Sequence, residues 1–389
     1  MEEWKTYTAS DFCIKVTDGT HDSPKPKDSG HYLITSKHLK DNCIDFSLAY
    51  RISEEDYQKI IKRSNVVQHD ILFSMIGTIG NIVRITAPIV DFAVKNMAIF
   101  KMGGNELKSK WLYYWLQSPS AKEYIASRLA GSTQAYLTLD SIRQYPISSP
   151  SEVEMKRIVD ILQSIDDKIE INNRINHNLE QQAQALFSHW LNNCEDKVAI
   201  SELCDNILDY TPITAKRVVA LNSSDVTEGV FAELSYTPIS EIKGQFKKRF
   251  EKGDILYSEI RPRNLHYAYC YFNPMDYIAS TRLMVIRSKS EKLYSSVMLY
   301  QYLQMPKVFE EFTSKTESRS GTFPQGNFKD LSSSIVPYSG DNEEISIILE
   351  SLYKLIWKNI DENKSLSSLR DSLLPILMSG ELKINDLTC

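Results

Sequence analysis

His69-Asp70-Ile71-Leu72-Phe73-Ser74-Met75-Ile76 returns further along the chain as Gly253-Asp254-Ile255-Leu256-Tyr257-Ser258-Glu259-Ile260. Leu116-Gln117-Ser118-Pro119 returns at nearly the same offset as Leu303-Gln304-Met305-Pro306, and a long heptad-patterned segment follows each copy. Duplicating an irregular half together with a helix predicts two similar heads on two similar rods. The expected division is a head over 1–150, a rod over 151–197, a second head over 198–338 and a second rod over 339–389. Two similar heads suit a target that itself has two parts.

At 389 residues the chain exceeds the usual single-domain range. With 42% apolar and 24% charged residues it reads as globular, with a core for each domain. No uninterrupted apolar run approaches the roughly 18 residues of a membrane helix. Met1-Glu2-Glu3-Trp4-Lys5 lacks the basic-then-apolar pattern of a secretory signal. Cys13, Cys43, Cys194, Cys204, Cys270 and Cys389 are scattered, without metal-ligand spacing, and predict reduced thiols in a cytoplasmic protein. The net charge of −5 divides into +2 over 1–150, −4 over 151–197, +1 over 198–338 and −4 over 339–389. The acid sits in the rods, which leaves the heads near neutral with room for local basic patches.

Ser151 followed three residues on by Glu154 is a capping box that opens the first rod. Met155, Leu162, Ile169, Asn176 and Ala183 then recur every seven residues, with Ile158, Ile165, Asn172, Leu179 and Leu186 three positions on. Capping-box spacing at Asp341 and Glu344 opens the second rod. Its rows are Ile345, Leu352, Asn359, Leu366, Leu373 and Ile348, Leu355, Glu362, Leu369, Ile376. These are a/d seams of helices packed along other helices. Each seam is interrupted in its middle by polar residues, Asn172 and Asn176 in one, Asn359 and Glu362 in the other. The matching interruptions predict that the two helices pair antiparallel, middle to middle. Each rod of about 40 residues spans roughly 60 Å at 1.5 Å per residue, long enough to act as a ruler. Pro375 should kink or shorten the last turns, and Gly380 is a C-terminal stop.

Within the heads, Ile71–Ser74, Ile255–Ser258, Met97–Phe100 and Leu283–Ile286 read as buried strands. Trp111–Leu116 and Met298–Leu303 read as helices whose aromatic stripe belongs to a core. The loops differ between copies: Gly77-Thr78-Ile79-Gly80-Asn81 follows the shared strand in one, Arg261-Pro262-Arg263-Asn264-Leu265-His266 in the other.

Asp18-Gly19-Thr20-His21-Asp22-Ser23-Pro24, then Gly77-Thr78-Ile79-Gly80, then Gly131-Ser132-Thr133 resemble the specificity subunit of type I restriction-modification enzymes. Its head–helix–head–helix order covers essentially the whole chain. The resemblance implies an α+β fold: two similar mixed target-recognition domains separated by two long antiparallel coiled-coil helices, with an internal pseudo-twofold repeat. It implies that each head contacts one half of a bipartite, asymmetric site on double-stranded DNA. The helices would set the spacer and dock two methyltransferase subunits and, through them, endonuclease or translocase subunits. The second head lacks the Asp-Gly-Thr-His string.

A base-reading surface needs Arg or Lys for guanine, Asn or Gln for adenine, and further cations and hydroxyls for phosphates. Lys25, Lys27, Lys37 and Thr78 are the candidates in the first head. Lys216, Arg217, Arg261, Arg263, Asn264 and Arg319 are those in the second, with the two arginines flanking Pro262 foremost. No GxxxxGK[ST] loop, glycine-rich S-adenosylmethionine loop or HExxH is present. Asn273-Pro274-Met275-Asp276-Tyr277 reads as a turn, and His21 beside Asp18 and Asp22 as a polar loop rather than a nuclease cluster. The chain is therefore expected to be non-catalytic and free of metal and cofactor, with S-adenosylmethionine, magnesium and ATP only in partner subunits. The alternative from another class is a two-headed protein-interaction scaffold without base-specific DNA binding.

Overall fold

The computed structural model describes residues 4–40, 42–131, 135–291, 294–318 and 324–381. It divides into two compact units, Met1–Ile169 with Lys364–Cys389, and Glu170–Asn363. Each unit therefore owns one head and a stretch of both long helices, Glu152–Asn192 and Glu343–Ser379.

In the first unit an antiparallel sheet runs in the order Lys15–Asp18, Met97–Lys101, Ile71–Ser74, Ile82–Arg84. The two inner strands are buried along almost their whole length. Successive side chains point to opposite faces. Ile71, Phe73, Ala98 and Phe100 join a core with Trp111 and Tyr114. Leu72, Met97 and Ile99 face a second core beneath a smaller sheet of Arg51–Ile52, His31–Ile34 and Phe92–Val94, the last two parallel. Lys5–Thr8 pairs antiparallel with Pro146–Ser149 and closes the head. The aromatic helix Glu106–Trp115 is anchored by its indoles, Trp111 Nε1 donating to Ser148 O at 3.0 Å and Trp115 Nε1 to Pro146 O at 2.8 Å.

The second unit repeats this plan. Its main sheet runs Cys204–Asn206, Leu283–Ser288, Ile255–Ser258, Tyr267–Tyr269. Its smaller sheet has Arg217–Leu221 parallel to Tyr277–Ser280, and Asp196–Ala199 pairs with Ile335–Tyr338. The frame also departs from the first copy. After Ile52 the first unit builds the helix Glu54–Ser64, capped by Ser53 Oγ accepting from Asp56 N at 3.1 Å. Tyr57 and Ile60 of this helix are buried beside Leu33 and Ile52. The second unit instead has a short 3-10 turn, Ile239–Glu241, and the added strand Phe246–Lys248. Pro238 and Gly244 flank too short a segment for three helical turns.

The repeated Asp-Ile-Leu string has a specific cause. Asp70 is fully buried just before its strand and is paired with Lys101 on the neighbouring strand, while accepting from Val67 N at 2.9 Å and Met102 N at 3.1 Å. Asp254, 1% exposed, takes the same place in the second unit. Arg287 Nε and Nη2 donate to it at 2.6 and 2.8 Å, and Glu251 N at 2.7 Å. The register is identical: Phe100 opposes Ile71 as Ile286 opposes Ile255, so each cation follows its strand by one residue.

The long helices are part of the head cores. In the first unit Met155, Ile158, Val159 and Leu162 pack with Leu374, Leu377 and Met378. Asp166 there accepts from Tyr114 Oη at 2.7 Å and Arg370 Nη1 at 2.9 Å. In the second unit Ala183, Phe187 and Leu191 pack with Ile345, Leu349, Tyr353 and Ile356. The polar interruptions meet within that unit. Asn172 Nδ2 donates to Glu362 Oε2 and Asn363 Oδ1, both at 2.8 Å, and Asn359 Nδ2 donates to Asn176 Oδ1 at 2.8 Å. The pairing is antiparallel.

Several seam assignments need correction. Leu162, Ile165, Asn172 and Asn176 are buried, and Ile169, Leu179, Leu352, Asn359, Glu362 and Leu366 half-buried. Leu355 and Leu369 are 50% and 47% exposed, as is Ile376 at 39%, while Ile356 and Leu377 are buried instead. Leu186 is likewise exposed and Phe187 buried. A straight helix of 3.6 residues per turn drifts about 20° per heptad from a 3.5 repeat, and the heads, which also cover these helices, pull the buried stripe one position on. The second helix begins at Glu343, after Asn342 rather than Asp341, and runs through Pro375 to Ser379 without shortening. Gly380, at φ 75°, follows its end.

Cys13, Cys204 and Cys270 are buried, and burial pushes their thiols up to about 12, which keeps them protonated and unreactive. His31, stacked on Tyr57 with ring centroids 3.8 Å apart, donates to both Glu54 and Asp91. Burial lowers its pKa, but the hydrogen bonds and charges of the two carboxylates outweigh that and hold the imidazole above its usual value.

Removing one partner of a buried pair strands a charge. Lys101→Ala should therefore cost about 3 kcal/mol in urea unfolding, whereas Asp70→Leu with Lys101→Met should cost much less. Equal losses in the two variants would show that the pair is not what holds the strand. For His31, the raised folded-state pKa means that its stabilisation is fully present below about pH 6.5 and is lost as pH rises through the folded value. The stability gap between the protein and His31→Gln should shrink from pH 5.5 to pH 9, and a pH-independent gap would refute this.

Candidate nucleic-acid interface

Parallel pairing places the C-terminal ends of His31–Ile34 and Phe92–Val94 side by side. The 3-10 turn Ser36–His38 follows the first and Lys95-Asn96 the second. Ser74 ends opposite Met97 and Asp18 opposite Ala98, which brings the Gly77-Thr78 turn and the Asp18–Ser23 loop to the same edge. A concavity of about 550 Å³ opens there, lined by Lys37, Thr78, Lys95, Asn96, Tyr50 and Gly77 among others.

Each of these loops is held by its own sequence. Burial lowers the pKa of His38, and its neutral Nδ1 accepts from Thr35 N at 2.9 Å, which pins the turn and leaves Lys37 exposed. Ser74 Oγ donates to Thr78 O and accepts from Asn81 N at 2.9 Å. Gly77 and Gly80, at φ 81° and 93°, make the turn that presents Thr78. Gly19 has no room for a side chain, since a Cβ would lie 2.3 Å from Val94 O. Buried Asp18 pairs with Arg63 and with His21 Nε2 at 2.7 Å, and His21 Nδ1 bonds Asn96 Oδ1 at 2.8 Å. The Asp-Gly-Thr-His string is thus a loop clamp, and His21 is a strut within it.

Lys37 and Thr78 are brought together. Lys25 and Lys27 are exposed but do not line this concavity; Lys27 N donates to Arg51 O at 2.9 Å, at the opposite end of the His31–Ile34 strand. Gly131 is described, whereas Ser132 and Thr133 lie outside the described residues.

In the second unit Arg261, Arg263 and Asn264 are exposed on the turn after Ile255–Ser258. Arg261 occupies the register position of Gly77 and like it has a positive φ, 48° against 81°, in the left-handed region where the Cβ of an L residue crowds the following carbonyl. Arg263 is engaged: its Nε and Nη2 donate to Glu317 Oε1 and Oε2 at 2.6 and 2.9 Å, and that carboxylate holds its pKa above the usual guanidinium value. The concavity of about 700 Å³ that it lines also carries Glu310 and Glu317, a lining that repels phosphate. Lys216 and Arg217 sit at the start of the strand Arg217–Leu221, about 13 Å from its far end at 3.3 Å per residue. The turn carrying Arg261 lies at that far end, because Leu221 pairs with Ala279 and Ser258 opposes Leu283, which two residues separate from the end of the Tyr277–Ser280 strand. Arg217 Nη2 donates to Tyr236 O at 2.6 Å. Arg319 lies outside the described residues.

Lys95, Asn96 and the exposed Arg282 were not among the residues expected from the sequence, although in each copy they are polar residues between two strands read as buried. Among the described residues no group of three or more His, Cys, Asp and Glu is placed to hold a metal ion, and no helix is long and apolar enough to cross a membrane.

A family model described as the type I restriction modification DNA specificity domain matches residues 1–181 and 218–365. The chain is 34% identical over 158 residues to the type I restriction enzyme HindI specificity subunit of Haemophilus influenzae, a match covering 40% of this chain and 34% of that one. It is 23% identical over 311 residues to the MjaIX specificity subunit of Methanocaldococcus jannaschii, covering 72% and 70%. The alignment to the first of these relatives thus spans about a third of that protein's length. The fold is that of a type I restriction-modification S subunit from M. genitalium, with TM-score 0.59, 15% identity and 96% of each chain covered. With both heads matched by the same model, the chain belongs to the type I restriction-modification DNA specificity family.

Proposed function

We propose that the chain is a non-catalytic DNA-specificity subunit in which each unit reads one half of a bipartite, asymmetric site. The observation that carries this reading is one frame presenting unlike chemistry. Both main sheets share a register, yet Gly77-Thr78 stands in one where Arg261-Pro262 stands in the other. A symmetric target would need equal loops. Unequal loops suit two different half-sites.

The long helices set the spacer and dock two methyltransferase subunits, and through them endonuclease or translocase subunits. Apolar side chains left on their outer surfaces support docking. Ile171, Ile175 and Leu355 in the second unit are 42–50% exposed, and Leu369 and Ile376 in the first are 47% and 39% exposed. Apolar rows of this kind mark surfaces that bind protein. S-adenosylmethionine, magnesium and ATP would then be bound by the partner subunits.

Binding to duplexes carrying the two half-sites should weaken at least tenfold when one base pair is added to the spacer. It should also weaken steeply from 50 to 200 mM salt. Electrophoretic shift assays on the chain with its methyltransferase partner measure both. Affinity indifferent to spacer length would overturn the ruler, and sequence-independent binding would overturn the specificity reading itself.

A further inference from the structure

Two residues in each unit join the smaller sheet to the central strand of the larger one. In the first unit they are Lys95-Asn96, between Phe92–Val94 and Met97–Lys101. In the second they are Thr281-Arg282, between Tyr277–Ser280 and Leu283–Ser288. The registers Met97–Ser74 and Leu283–Ser258 make these turns equivalent, Asn96 standing where Arg282 stands.

We propose that this turn determines specificity in both units, with Asn96 reading adenine in one half-site and Arg282 reading guanine in the other. The inference rests on the DNA-specificity reading above.

Both turns are clamped before any ligand arrives. Lys95 N donates to Ile34 O at 2.9 Å and Asn96 N to Thr20 O at 3.1 Å, while Lys95 Nζ reaches Ser23 Oγ. Asn96 Oδ1 is held by His21, itself locked on buried Asp18. Asn96 is thus fixed through one lone pair of its carbonyl oxygen. The other lone pair of that oxygen and the amide N–H can serve the paired acceptor and donor of adenine. In the second unit Thr281 N donates to Gln245 O at 2.8 Å, and Glu259 N to Arg282 O at 2.9 Å. Buried Lys248 Nζ donates to Leu283 O at 2.6 Å, directly after Arg282. A rigid backbone beneath a partly or fully exposed Asn or Arg is what base readout needs, since a mobile reader would lose its discrimination to ordering entropy. Lys37 and Thr78, on the same concavity as Asn96, supply phosphate contacts around it.

The test is selection from a randomised duplex pool by the full chain with its methyltransferase partner, followed by sequencing. Asn96→Asp keeps the bond to His21 and the left-handed backbone but loses the amide donor. Arg282→Lys keeps the charge but loses the planar fork. Asn96→Asp should relax one position of one half-site tenfold or more and leave the other half-site intact. Arg282→Lys should do the reverse, and both variants should melt as the parent does. If the parent selects a bipartite sequence and both variants select the same one, the turn is not the reader. If the parent itself selects no sequence, the underlying DNA-specificity reading fails instead.

Discussion

Each head is organised by a buried carboxylate that must be answered by a cation on the adjacent strand. Asp70 and Asp254 stand at the entry to the innermost strand, out of water, where an unpaired charge would cost several kcal/mol. Lys101 and Arg287 satisfy them in the same register, and backbone N–H groups take the remaining lone pairs. The pairing forbids a slip of the central strands, because a one-residue shift would both bury an unpaired charge and turn every apolar side chain to the wrong face. With the register set at one end of the strand, the loops at its other end are delivered to a predictable place.

Those loops carry the differences between the two heads. In the first unit a chain of short-range contacts from Asp18 through His21 to Asn96, together with the Ser74-centred turn, converts a polar segment into a stiff edge. In the second unit the same edge is built otherwise, with Arg261 at a positive φ where the first has glycine, and with Arg263 clasped by Glu317. A guanidinium whose Nε–Nη2 edge is already clasped by a carboxylate, in a concavity that also carries Glu310, is poorly placed to meet a guanine, which moves attention from Arg263 to Arg282.

The long helices behave less like free rods than like walls of the heads. Their apolar residues belong to the same clusters as the aromatic helices, Leu374 and Leu377 sharing a core with Trp111, and Phe187 sharing one with Tyr300. The asparagine layer within the second unit pairs its Asn172 and Asn359 amide donors across the helix pair, though Asn172 Oδ1 stays buried without a partner among the described residues, and it gives the antiparallel alignment a register that leucines alone would leave loose.

The duplication, the buried strands, the aromatic helices and the polar-centred seams were legible in the chain, because each follows from local periodicity and from the repetition of a string. Asn172, Asn176, Asn359 and Glu362 announced the helix pairing for the same reason: a polar residue in an apolar row needs a polar partner. What folding in three dimensions settled was which side of each helix is buried and which polar residues meet. Leu355 and Leu369 lie in a perfect heptad row and still face outward, since the heads cover these helices as well and an α-helix drifts against a 3.5-residue repeat. Lys25, Lys27, Lys216 and Arg217 share loops or strands with better-placed residues but belong to the opposite strand ends. Linear distance says nothing about which end of a strand a loop is folded onto. Parallel pairing of two short strands, far apart in sequence, brought Lys37 and Asn96 to one edge, and the Ser74–Met97 register of the main sheet added Thr78, a proximity that only the closed sheets create.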